Sequence, residues 1–172
     1  MRADRPTGRT GQRGFYLIEA LVAILIFALG ILGLVAMGGT AVSSQSDAQY
    51  RTEASSLADA IAGEIALGID RTSEASKAAT LAGFMHQETP TPDTVPAPCS
   101  FAGVAEANPR VAALLDRARN ATATPGLPGA GAANAQVFID AAGTFNRVVI
   151  TLCWKTASDA AWRRHTLVTY VN

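Results

Sequence analysis

Catalytic motifs are missing from this chain. It has no Gly-x-Ser-x-Gly elbow, no His-Glu-x-x-His and no glycine-rich phosphate loop ending in Lys. Its two histidines, His86 and His165, stand apart, one in a proline-rich stretch and one beside Arg163 and Arg164. They read as a solvated loop residue and an exposed edge-strand residue. Only two cysteines occur, Cys99 and Cys153, without metal-site spacing, so no metal or other cofactor is expected. There is no basic surplus: Lys and Arg number 14, as do Asp and Glu. The usual electrostatic argument for nucleic-acid binding is therefore absent. These absences argue against an enzyme.

What is present is concentrated at the N-terminus. Arg2, Arg5, Arg9 and Arg13 precede a long apolar run, with only Asp4 against them. Across residues 15–39 the sole charged side chain is Glu19. A helix over that run would be roughly 37 Å long, enough for a ~30 Å hydrocarbon core. The arginines keep the N-terminus cytoplasmic and send the rest across the membrane. A carboxylate deep in such a helix is expensive and calls for a partner.

The stretch Arg13-Gly14-Phe15-Tyr16-Leu17-Ile18-Glu19 resembles the class III signal of type IV pilins and pseudopilins. The resemblance implies a prepilin leader over residues 1–14, cut between Gly14 and Phe15 by a prepilin peptidase. It implies methylation of the new amine on Phe15. Glu19 would pair with the free amine of a neighbouring subunit and set the register between subunits. After the cut, 10 basic and 13 acidic residues would remain, counted from the whole chain. In an oxidising periplasm Cys99 and Cys153 can pair only with each other; the alternative is two free thiols, one buried in a strand.

Beyond residue 39 the helix is expected to continue to Gly68 as an amphipathic segment. Tyr50, Ala54, Leu57, Ile61 and Ile65 share one face; Arg51, Glu53, Asp59 and Glu64 lie on the other. Gly30, Gly33, Gly38 and Gly39 punctuate the apolar half. Pro90, Pro92, Pro96 and Pro98 make 80–102 an irregular loop. Asn108-Pro109 reads as a cap opening a short helix through Val111, Leu114, Leu115 and Ala118, ending near Asn120. Residues 125–131 form a second loop. Strands are expected at 136–140, 145–155 and 164–171, with a turn over 141–144. Val148, Ile150, Leu152 and Trp154 face one way, and Arg147, Val149, Thr151 and Cys153 the other. The last strand's inward face is ambiguous. The expected fold is α+β and pilin-like: a long N-terminal helical spine, 15–39 in the membrane and 40–68 amphipathic. A head over 69–172 carries a small antiparallel sheet, one face of it packed on Leu57, Ile61 and Ile65.

Further patches narrow the resemblance. Phe15 to Ala23, the run Leu29-Gly30-Ile31-Leu32-Gly33-Leu34, and Leu127-Pro128-Gly129 are similar to the PilV family of minor pilins. So are the strand ending Ile150-Thr151-Leu152-Cys153-Trp154 and the final basic strand with Arg164-His165. Major pilins often carry a proline midway along the spine; this chain has none across 15–67. The resemblance implies a subunit of a type IV pilus, in an inner-membrane priming complex or at the pilus tip. Implied partners are prepilin peptidase, other minor pilins, the major pilin, the inner membrane and the pilus assembly platform.

Other readings start from the same residues. A minor pseudopilin of a type II secretion system would share Gly14, Phe15, Glu19 and the spine. A plain membrane anchor or an ordinary signal peptide is a simpler account of residues 15–39, although the run exceeds the usual h-region of ~7–15 residues. A membrane-anchored periplasmic enzyme lacks a motif to carry it. Trp162 beside Arg163-Arg164-His165 suggests adhesion or DNA uptake, against a solvated strand edge guarded by charge. Asn120-Ala121-Thr122 matches a glycosylation sequon, a motif short enough to arise by chance.

Overall fold

A computed structural model describes residues 13–93, 99–119, 126–141 and 145–172, with side chains from residue 16 onward, Thr40 excepted. The architecture is α+β: a long N-terminal helix and a small antiparallel sheet. Helix α1 spans Arg13–Gly68, α2 Glu74–Ala82 and α3 Pro109–Ala118. A 3-10 turn at Ala132–Asn134 leads into strands β1 (Ala135–Asp140), β2 (Asn146–Trp154) and β3 (Arg163–Val171). The chain divides into two compact units, Met1–Asp47 and Ala48–Asn172.

In the first unit, the stretch of α1 over residues 16–39 is apolar on every side apart from Glu19. Leu17, Ile18, Leu21, Ile24, Leu25, Phe27 and Leu32 are all exposed. A helix that is hydrophobic all round needs lipid or protein around it. Its length and hydropathy suffice for one membrane span. A side chain added at Gly30, Gly33, Gly38 or Gly39 would meet nothing within 4 Å, so no contact within this chain requires those glycines.

In the second unit, the helix follows the expected stripe. Ala54, Leu57, Ala58, Ile61 and Ile65 are buried and Tyr50 packs against them. Each buried Leu or Ile contributes about 1.5–3 kcal/mol. Glu53 and Glu64 do not simply face solvent as the helical pattern suggests. Glu53 pairs with Arg117 at 3.0 Å and Glu64 with Arg110 at 3.4 Å, linking α1 to α3. Asn108 caps α3, its Oδ1 accepting from the N–H groups of Arg110 and Val111 at 3.0 and 3.2 Å. Val111, Leu115 and Ala118 then enter the core, and the helix ends at Ala118. Past Gly68, the Arg71 guanidinium donates to the carbonyls of Ala66, Ile69 and Asn172. Two of these are otherwise orphaned helix-end acceptors.

Helix α2 departs from the irregular loop expected from residue 80 onward. Ser73 accepts from Ser76 N–H at 3.0 Å and starts it. Leu81 at its end and Phe84 just beyond anchor it in the core.

The three strands form a meander in the order β1-β2-β3, with Val137 opposite Ile150 and Ile150 opposite Leu167. Strand β2 is expected to alternate, yet Val149, Thr151 and Cys153 are as buried as Val148, Ile150, Leu152 and Trp154. The second face is covered by the stretch after α2. At the outer edge of β1, His86 N–H donates to Val137 O and Val137 N–H to His86 O, at 3.0 and 2.9 Å. Buried Gln136 donates from Nε2 to the carbonyls of Gln87 and Pro90 at 3.0 and 2.8 Å. Strand β3 has a clear inner side: Leu167 packs on the core and Val171 is buried, while Arg164, Thr166, Val168 and Tyr170 are exposed.

Candidate functional site

The N-terminal site is built from one helical turn. Gly14 and Phe15 lie in the backbone of α1, the side chain of Phe15 and residues 1–12 falling outside the described residues. Glu19 stands four residues after Phe15, so the helix stacks the two positions on one face. The Glu19 side chain is exposed, in a shallow hollow with Tyr16, Ala20 and Ala23. The small alanines leave room for a group from outside to approach the carboxylate. Among the described residues of that hollow, Glu19 carries the only charge.

Cys99 and Cys153 are joined in a disulfide, with Cα atoms 5.8 Å apart. It ties the covering stretch to β2. Asn134 reinforces that join: its Nδ2 donates to Cys99 O at 2.5 Å, and its Oδ1 accepts from Gly131 N–H at 2.8 Å. At the same end of the sheet, Gly129 adopts φ +66°, and a Cβ there would stand 2.5 Å from Lys155 O. Pro128 O accepts from Lys155 N–H at 2.8 Å, so Leu127-Pro128-Gly129 needs glycine to press this close to β2.

His86 is not the solvated loop residue the sequence suggests. It is 1 % exposed. Its Nδ1 meets the Glu106 carboxylate and its Nε2 lies 3.3 Å from Ala132 O. Glu106 is itself buried, with Arg119 at 4.0 Å and Asp116 bonded to the same guanidinium. Each buried polar group here has a polar neighbour, which lowers the cost of burying it. No spacing or motif in the sequence marks Glu106 or Arg119 as partners of His86. His165 is half-buried on edge strand β3.

The basic cluster at 163–165 is partly neutralised. Asp159 accepts from Nη2 and Nε of Arg163 at 2.8 and 3.2 Å, and from Thr156 N–H and Oγ1. Arg163 first, then Thr156, hold the Asp159 carboxyl down at about 2. Arg147 likewise holds Asp93 below the usual carboxylate range through a two-pronged contact at 3.1 Å. Trp162 is 41 % exposed beside Pro128, Lys155 and Asp159. Among the described residues, no three His, Cys, Asp or Glu side chains gather to hold a metal ion. The sequon Asn120-Ala121-Thr122, Pro96 and Pro98, and turn residues 142–144 lie outside the described residues. Compared with family models, with curated proteins and with solved structures, the chain matches none.

Proposed function

We propose that this chain is a minor pilin of the type IV pilus, similar to the PilV family, that works in the inner-membrane complex priming filament assembly. Prepilin peptidase cuts after Gly14 and methylates Phe15. The observation that carries the reading is Glu19: one exposed carboxylate in a helical stretch, 15–39, that is otherwise without charge and long enough to span a membrane, five positions beyond the Gly14 cut. Leaving it unpaired in lipid costs several kcal/mol, which makes pairing with a neighbour's N-terminal amine a strong drive for assembly. The disulfide-closed head with its antiparallel sheet suits exposure outside the cytoplasm. The first half of α1 anchors the chain, with the head on the periplasmic side and later at the cell surface.

Intact mass of the protein from membranes and from sheared filaments tests this. A chain beginning at Phe15 with one added methyl group, present in the filament fraction, is the expected result. A chain beginning at Met1 would overturn it. Processed protein absent from filaments, with protein secretion lost on gene deletion, would transfer the chain to a type II secretion system.

A further inference from the structure

The two edges of the sheet are treated differently. The outer edge of β1 is bridged by His86, which exchanges two backbone hydrogen bonds with Val137. Among the described residues, no backbone hydrogen bond reaches residues 165–171 of β3 except across the ladder with β2. That strand pairs with β2 over nine residues in an unbroken register, without a bulge. Residues 165–171 contain no proline, no glycine and no acidic side chain. A straight, unbroken edge of this kind is a template for another strand.

We propose that the outer edge of β3 pairs antiparallel with the same strand of a second copy of this chain, about a two-fold axis at Val168. The outward face of the strand is self-complementary in that register. Val168, 47 % exposed, meets Val168 of the copy. Tyr170, 63 % exposed, falls opposite Thr166 on either side of the axis. The pairing therefore covers two large exposed apolar side chains per copy with β-branched and aromatic partners, the cross-strand combinations that favour sheets. It also keeps like charges apart. Arg164 lies four positions from the axis, so the two Arg164 residues stand about 27 Å apart at ~3.4 Å per residue, beyond screening distance at physiological salt. A foreign strand would need its own matched sequence, whereas a two-fold axis needs only this one. The two sheets become one sheet running through both heads. The proposal concerns the head alone and does not depend on the leader being cut.

A photo-crosslinking amino acid placed at Val168 of the full chain, in its own membrane, tests this. The expected product is a homodimer whose cross-linked peptides both come from β3, with no such product from Val104, which is exposed but lies outside the sheet. With the probe moved to Tyr170, Val168→Asp and Val168→Lys each put like charges face to face and reduce the homodimer about tenfold. Co-expressing the two variants restores it, a recovery that misfolding would not give. Cross-linking only to a different protein, no homodimer at all, equal yield from Val104, or no recovery in the mixed sample would each overturn the proposal.

Discussion

The ring of Phe84 closes over Gly68: a Cβ at Gly68 would stand 2.8 Å from the ring's Cζ. Phe84 is 1 % exposed and locked among core neighbours, so it has little room to give way. The long helix thus stops against the core at a residue that must lack a side chain. Gly68→Ala is expected to destabilise the head by about 1–3 kcal/mol through overpacking, outweighing the gain of up to ~1 kcal/mol in helix propensity. A denaturant midpoint followed by the fluorescence of buried Trp154 measures it. An unchanged or raised midpoint would mean that the ring moves aside.

Local patterns made much of the head readable. The steps of three and four from Tyr50 to Ile65 are a property of one helix, and the buried stripe is the one they mark. Asn108-Pro109 announces α3 through backbone chemistry at two adjacent residues. The cover over Val149, Thr151 and Cys153 was not readable. It comes from residues far off in sequence, joined to that face by the Cys99–Cys153 disulfide and by Gln136 donating to the carbonyls of Gln87 and Pro90, contacts that no local periodicity marks. Helix α2 was missed because its only buried side chain is Leu81, too little to form a stripe, although Ser73 was available as a cap. His86 and Glu106 meet across a loop, where no periodicity relates them.

The disulfide closes a long loop. Cys99 and Cys153 are 54 residues apart, and a cross-link of that span removes about 4 kcal/mol of denatured-state entropy in the chain-entropy account. The paired substitution Cys99→Ser with Cys153→Ser is expected to lower stability by about 2–4 kcal/mol. Denaturation of oxidised and substituted protein, monitored by fluorescence, compares the two. Equal midpoints would show that the covering stretch holds without its covalent tie.

Inside the head, His86 and Glu106 are expected to be strongly coupled. His86→Leu leaves the buried Glu106 carboxylate with Arg119 at 4.0 Å as its remaining charged neighbour. Leaving a buried polar group without its hydrogen-bonding partner costs about 1–3 kcal/mol. Replacing both with leucine is expected to recover most of that loss. A double-mutant cycle on unfolding free energies gives the coupling, and strictly additive losses would mean that the two side chains act independently.

Acid should find Asp159 late. Its folded value of about 2 lies below the ordinary ~3.9 of an aspartate. A depressed carboxylate contributes stability that is fully present above the ordinary value. That contribution is lost as pH falls from about 4 through about 2. Wild-type protein should therefore lose stability across that window, and Asp159→Asn should show a shallower decline there. Titration of the carboxyl carbon by NMR, with a midpoint near 2, is the direct check. A midpoint near 4 would mean that Arg163 and Thr156 do not hold the carboxylate in solution.

On the proposed function, substitution of Glu19 separates anchoring from assembly. Its carboxylate is exposed on α1 and contributes nothing to the core of the head, so Glu19→Ala should leave folding and disulfide formation intact. Membrane insertion should improve slightly, because a charge has left the apolar run. Cleavage after Gly14 should proceed, whereas Gly14→Ala should leave an uncut precursor. What Glu19→Ala should lose, if the proposed function holds, is company: co-purification with the proposed pilin partners should fall at least tenfold, the factor for ~1.4 kcal/mol of lost pairing. Glu19→Asp should recover part of it, because the charge remains on a shorter side chain. If Glu19→Ala is processed and still co-purifies at wild-type levels, the carboxylate has no pairing role and α1 serves this chain as a membrane anchor alone.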